Sequence, residues 1–128
     1  MASLGMVGPY ELDKDTIDEK VSKKSPGNYA LGKMNDGVTF LVEYVGRADL
    51  DVNGRLKSWV GKTKHPLFKF SYATSAKSAF EKECENYHDF DPPENDVHPD
   101  KPSGTNWKCP HCDIAKNGFF SFKEKGLI

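Results

Sequence analysis

The sequence predicts an α+β protein in which helices flank a small antiparallel three-stranded sheet and an irregular tail follows. Three observations carry this. Val38–Val45 is β-branched and aromatic nearly throughout and follows a shorter extended segment across Asn35-Asp36-Gly37, a turn that tolerates positive φ and closes hairpins. Leu67–Ala73 alternates apolar and polar residues at the strand period. Ala76–Phe90 sets Ala76, Ala79, Phe80, Cys84 and Tyr87 at helical spacing.

Along the chain, residues 1–24 read as an N-terminal extension with one short amphipathic helix around Asp13–Lys23. Pro26-Gly27 interrupts it, and Asn28–Met34 is the first hairpin strand. Asp49 or Asp51 caps a helix reaching about Val60, where Gly61 stops it; Gly54 weakens its interior. Leu67–Ala73 is the third strand, and Thr74 or Ser75 caps the long helix Ala76–Phe90. From Asp91 onward Pro92, Pro93, Pro99, Pro102 and Gly104 forbid regular structure over roughly fifteen residues. Phe119–Phe122 could supply a terminal strand. The order is ββαβα over residues 25–95, with the tail at 96–128.

With 128 residues, the chain is expected to form one core. Apolar residues are 37% and charged residues 29%, the composition of a globular protein. The longest apolar run is far short of a membrane span, and Met1–Tyr10 has no basic-then-apolar leader pattern. The expectation is a protein without membrane association, cytoplasmic, or nuclear in a eukaryote. The formal net charge is −1, but Tyr44–Lys82 carries Arg47, Arg55, Lys57, Lys62, Lys64, Lys69, Lys77 and Lys82 against Asp49, Asp51 and Glu81. That local excess suits a phosphate-bearing partner.

The three cysteines, being odd in number, do not read as a disulfide framework. Cys84 and His88 lie one helical turn apart, and Cys109 and Cys112 have the C-x₂-C spacing of a knuckle. Together they form a Cys₃His set for structural Zn²⁺ that would clamp the proline-rich tail. His98 and His111 are rival nitrogen ligands. The plainer alternative is a buried helix cysteine beside a surface histidine, with Cys109 and Cys112 as a redox pair. That pair would sit in an irregular region instead of at the start of a helix, the wrong context for thioredoxin-like chemistry.

Tyr29, Tyr44, Arg55 and Glu83 make up a second constellation. Two phenols can handle protons, a guanidinium can hold a phosphate bidentately, and a carboxylate can hold a divalent cation. On paired strands the tyrosines can project into one cleft. Taken singly, each residue reads better as an ordinary strand aromatic, helix arginine or surface acid; it is the set, in this order and on these elements, that favours a site.

The order and spacing of Gly27-Asn28-Tyr29, Tyr44-Val45-Gly46, Arg55-Leu56, Glu83 and Asn95 resemble the GIY-YIG nuclease superfamily over about half of the chain. The resemblance implies an endonuclease hydrolysing phosphodiesters, in DNA more than RNA, with Mg²⁺ or Mn²⁺ on Glu83. Gly27, Gly46, Arg47, His65 and Asn95 are the supporting residues. Asn28 departs from the apolar middle residue of the family's first tripeptide, and Trp59 stands where the family commonly has a histidine. His65 is the nearest substitute for that histidine. The alternative is a non-catalytic module of the same fold that binds nucleic acid or protein and is stabilised by zinc. Oligomeric state is left open.

Overall fold

The computed structural model describes residues 4–95, 98, 99, 101 and 104–110. Its elements are β1 (Val7–Glu11), α1 (Lys14–Lys20), β2 (Gly27–Asn35), β3 (Thr39–Ala48), α2 (Val52–Trp59), β4 (Leu67–Tyr72) and α3 (Ala76–Phe90). The sheet has four strands in the order β1-β4-β2-β3, and every pairing is antiparallel. The fold is α+β as expected, with one strand more than the sequence suggested.

The additional strand is β1, in the segment read as an extension. Gly8 and Pro9 sit inside it, and its register with β4 breaks between Val7 and Tyr10. Proline cannot donate to a ladder and is tolerated on an edge, which is where β1 lies. The segment after it also belongs to the core, since Ile17 and Val21 pack with Leu31, Leu56 and Phe68.

Local chemistry sets the helix starts. Asp13 accepts from the Thr16 amide at 2.8 Å to cap α1, and Ser75 with Ser78 forms a capping box on α3. Asp36 and Gly37 adopt φ of 58° and 71° to turn β2 into β3. Asn53 of α2 donates to the Val21 carbonyl at 2.9 Å, joining α2 to the end of α1.

Helices α1 and α2 cover one face of the sheet; α3 covers the other. Beyond α3, the described residues between 91 and 110 form no helix or strand. Glu94 and Asn95 bond to the open edge of β3: the Glu94 amide donates to Glu43 O, and Asn95 bonds both the N–H and the C=O of Val45 at 2.8 and 2.9 Å. Cys112, His111 and the Phe119–Phe122 segment lie outside the described residues. Among the described residues, no helix is long and apolar enough to cross a membrane.

Candidate functional site

Strand register builds the first half of the site. Tyr29 stands opposite Gly46 and Leu31 opposite Tyr44, so both tyrosines project from the same sheet face toward α2. Their ring centroids are 6.3 Å apart. A Cβ on Gly46 would come within 2.5 Å of the Tyr29 ring and hydroxyl, so the absent side chain at 46 is the seat of the phenol at 29. Gly27 has a different reason to be small. Its Cβ would meet Ser71 O at 2.4 Å and Val52 at 3.1 Å, and it serves strand and helix packing.

Tyr29 is fully buried. Trp59 Nε1 donates to its hydroxyl at 2.8 Å, and the Trp59 ring packs on Tyr44 with centroids 5.2 Å apart. Trp59 is thus a site residue that sequence reasoning recorded only as a missing histidine. Its placement four residues after Arg55, on the same helix face, was the available signal. His65 does not substitute for that histidine: it is buried outside the cleft and bonds Glu94 at 2.7 Å, anchoring the segment that crosses the β3 edge. Asn95 serves the same segment, as a clamp on Val45.

The second half comes from the opposite face. Asn28 and Arg47 are register partners facing α3. Asn28 is buried and donates to Ala79 O at 2.8 Å, so the residue that departs from the family pattern pins α3 to the sheet. Arg47 Nη1 donates to Glu83 Oε1 at 2.5 Å, its Nε donates to Asp49 at 2.8 Å, and its guanidinium lies 5.2 Å from the Phe80 ring centre. Because β3 is an edge strand, side chains from both faces reach one cleft of about 620 Å³ around Gly46. Tyr29, Tyr44, Arg47, Asp49, Arg55 and Glu83 all line it. The four residues singled out as catalytic candidates therefore share a cleft. Other members of the basic run do not: Lys57 pairs with Asp18 at 2.5 Å, and Lys82 donates to Gly5 O and Ser71 Oγ.

The electrostatics follow from this enclosure. Burial pushes the Tyr29 phenol up from 10.0 to about 12, against the Trp59 hydrogen bond and Arg55 charge. Burial also raises Tyr44, as does the Glu83 charge, while Arg55 and a hydrogen bond from Tyr29 pull it down. Arg55 is raised by its contact with Tyr29. Desolvation raises the Glu83 carboxyl and prevails over the opposing pull of Arg47. Arg47 itself resists desolvation through Asp49 and Glu83 and stays charged.

Cys84, His98 and Cys109 form a second cluster, their donor atoms all within 4.8 Å of one another, and together they could hold a metal ion. Cys84 and Cys109 are buried thiols packed with Phe80, and Trp107 lies against the group. His98 takes the place expected of His88, which is not among the three. The His88 ring instead packs edge-on against Tyr87 and His98, with centroids at 5.4 and 5.2 Å. Cys112, the remaining expected ligand, lies outside the described residues. No family model, curated protein or solved structure matches this chain.

Proposed function

We propose that the protein is a divalent-metal-dependent endonuclease of the GIY-YIG type, hydrolysing phosphodiester bonds in DNA. The observation that carries this reading is the shared cleft of Tyr29, Tyr44, Arg55 and Glu83, four side chains from two strands and two helices. Arg55 is exposed at that cleft, where its planar fork can take two nonbridging phosphoryl oxygens.

Tyr44 is the better base of the two phenols. The Trp59 N–H can only donate, so the Tyr29 oxygen accepts there and its own proton faces Tyr44. A phenolate at 44 is then stabilised by Tyr29 and Arg55, whereas one at 29 is fully buried. Tyr44 takes a proton from water, the water oxygen bonds to phosphorus, the bond to the leaving oxygen breaks, and solvent protonates that oxygen.

Glu83 is the residue that would hold the cation. Its Oε1 is engaged by Arg47, while Oε2 makes no hydrogen bond among the described residues, and the carboxylate lines a cleft wide enough for a hydrated ion. Hard oxygen donors from Glu83 and Asp49 suit Mg²⁺ or Mn²⁺. When bound, such an ion supplies charge neutralisation at the leaving oxygen and a lowered phenol pKa. The thiolate and imidazole donors of Cys84, His98 and Cys109 suit Zn²⁺ instead and carry no step of this reaction.

The test is nicking of supercoiled plasmid with Mg²⁺ or Mn²⁺. Glu83→Gln and Tyr44→Phe should each lower the rate roughly 100-fold or more, and the wild-type rate should rise with pH in a way Tyr44→Phe does not reproduce. Equal nicking by wild type and both variants would remove the assignment. A second reading, binding of nucleic acid without cleavage, is favoured by one contact: Arg47 already engages Glu83. Salt-dependent binding by a wild type that never nicks would establish it.

A further inference from the structure

We infer that Cys84, His98 and Cys109 are the ligands of a structural zinc ion, and that this ion positions Arg47 and Glu83 by holding Trp107 on Phe80. The ligand set stands apart from the phosphodiesterase reading; the positioning role rests on it.

The donor set and its compactness suit zinc. A tetrahedral ion about 2.3 Å from sulfur and about 2.0 Å from nitrogen spaces its donors roughly 3.5–3.8 Å apart. The three donor atoms here lie within 4.8 Å of one another, so a small inward adjustment closes the site. His98 is already oriented as a ligand: its Nδ1 lies 2.7 Å from Pro99 O. A carbonyl can only accept, so Nδ1 carries the proton there, and the ring also hydrogen-bonds Cys109, the contact that a shared metal would replace. A backbone carbonyl behind an imidazole is the usual outer support of zinc-bound histidine.

The site also supplies what the chain around it lacks. The described residues between 91 and 110 have no helix or strand to hold them, yet Cys109 is buried against Cys84 on α3. Trp107 lies two residues before Cys109, and its ring centre is 6.4 Å from that of Phe80. The Arg47 guanidinium also lies over Phe80, 5.2 Å from its ring centre, and in turn holds Glu83. Glu83 is also the chain neighbour of Cys84. A metal tying Cys109 to Cys84 therefore fixes the wall against which both cleft charges rest.

The untagged full chain, reconstituted with Zn²⁺ and desalted, should retain one zinc per chain. Cobalt substitution should give thiolate-to-metal charge-transfer absorption and tetrahedral visible bands. His98→Ala should weaken zinc binding ~10–100-fold, whereas His88→Ala should leave it unchanged. His98 is half-buried in an irregular segment, so this variant is expected to fold, and circular dichroism checks it. Absence of bound metal, a Cys84–Cys109 disulfide in the reduced preparation's mass spectrum, or zinc loss in His88→Ala but not His98→Ala would overturn the ligand set. For the positioning role, zinc removal with a thiol-competing chelator, in a Trp59→Phe background where Trp107 is the remaining indole, should shift emission to the red. In the wild-type chain the same removal should lower nicking ~10-fold, mainly in kcat, with recovery on adding zinc back. Unchanged emission and full nicking without zinc would end that role. A zinc-loaded protein that never nicks would refute the endonuclease reading while leaving the emission test to decide whether the ion holds Trp107.

Discussion

On the sheet face covered by α1 and α2, Tyr29, Leu31, Leu56 and Phe68 are fully buried, and the cleft residues are held mostly by shape. The face covered by α3 buries Asn28, Glu83 and Asn86 beside Cys84, and its cleft residues are held by charge and hydrogen bonds. The first arrangement is inexpensive, because an aromatic ring seated over a glycine needs only van der Waals complementarity. The second carries a cost. Among the described residues Asn28 Oδ1 and Asn86 Nδ2 are buried with no hydrogen-bond partner, against Asp51 Oδ1 on the α2 side, and a carboxylate is withdrawn from water. The contrast suggests that the α1/α2 face supplies the rigidity and the α3 face gives up stability to place a carboxylate.

The largest effect should come from the charged side. Arg47→Met keeps the apolar contact with Phe80 but leaves Glu83, whose side chain is 10% exposed, without its cation. Breaking a buried pair from one side costs about 3–5 kcal/mol; the lower end applies here because the cleft admits water. Chemical denaturation at pH 7 should show a loss of about 3 kcal/mol. If the loss is below about 1 kcal/mol, charge is not what holds the α3 face and the contrast between the faces collapses.

The phenol on the shape-held face makes a prediction of nearly the same size with a defined pH signature. Tyr29 titrates at 10.0 in a solvated chain and at about 12 in the fold because burial disfavours the phenolate. A group whose pKa is raised by folding contributes stability that is complete below its unfolded value and lost as pH rises through its folded value. About 3 kcal/mol should therefore disappear between pH 10 and 12. Tyr29→Phe should flatten that limb and lower stability at neutral pH, since it leaves the Trp59 N–H without its acceptor. Stability measured from pH 9 to 12 for both proteins decides it.

Most of this framework was legible in the sequence, and the gaps have physical reasons. The hairpin, β4 and α3 followed from period-two and period-3.6 patterns bounded by turn and cap residues, which are local signals. Strand β1 was missed because Pro9 reads as a breaker unless the strand is known to lie on an edge. The convergence of Tyr29 and Tyr44 was readable from strand alternation once the hairpin was in register. The Trp59–Tyr29 bond and the Arg47–Glu83 pair were not, because each joins residues 30 or more positions apart through packing of separate layers. His98 displaced His88 for a related reason. Helical spacing puts Cys84 and His88 on one face, but only the returning segment determines which imidazole reaches the thiols.

The smallest expected effect sharpens the comparison most, because it touches the shape-held face without altering any charge. Gly46→Ala adds a single methyl group whose Cβ would sit 2.5 Å from both Cζ and Oη of Tyr29. Tyr29 is enclosed by Trp59 and Tyr44 and cannot swing into solvent, so the ring must tilt or the β2–β3 spacing must open. Overpacking of this kind costs typically 1–3 kcal/mol, and about 2 kcal/mol is expected here. The methyl group also moves the hydroxyl that faces Tyr44, so nicking should fall further than the lost stability explains. Denaturation and nicking assays on the same preparation separate the two effects. A variant that loses stability but nicks at the wild-type rate would mean that Tyr29 is only a core aromatic, and that Tyr44 works without it.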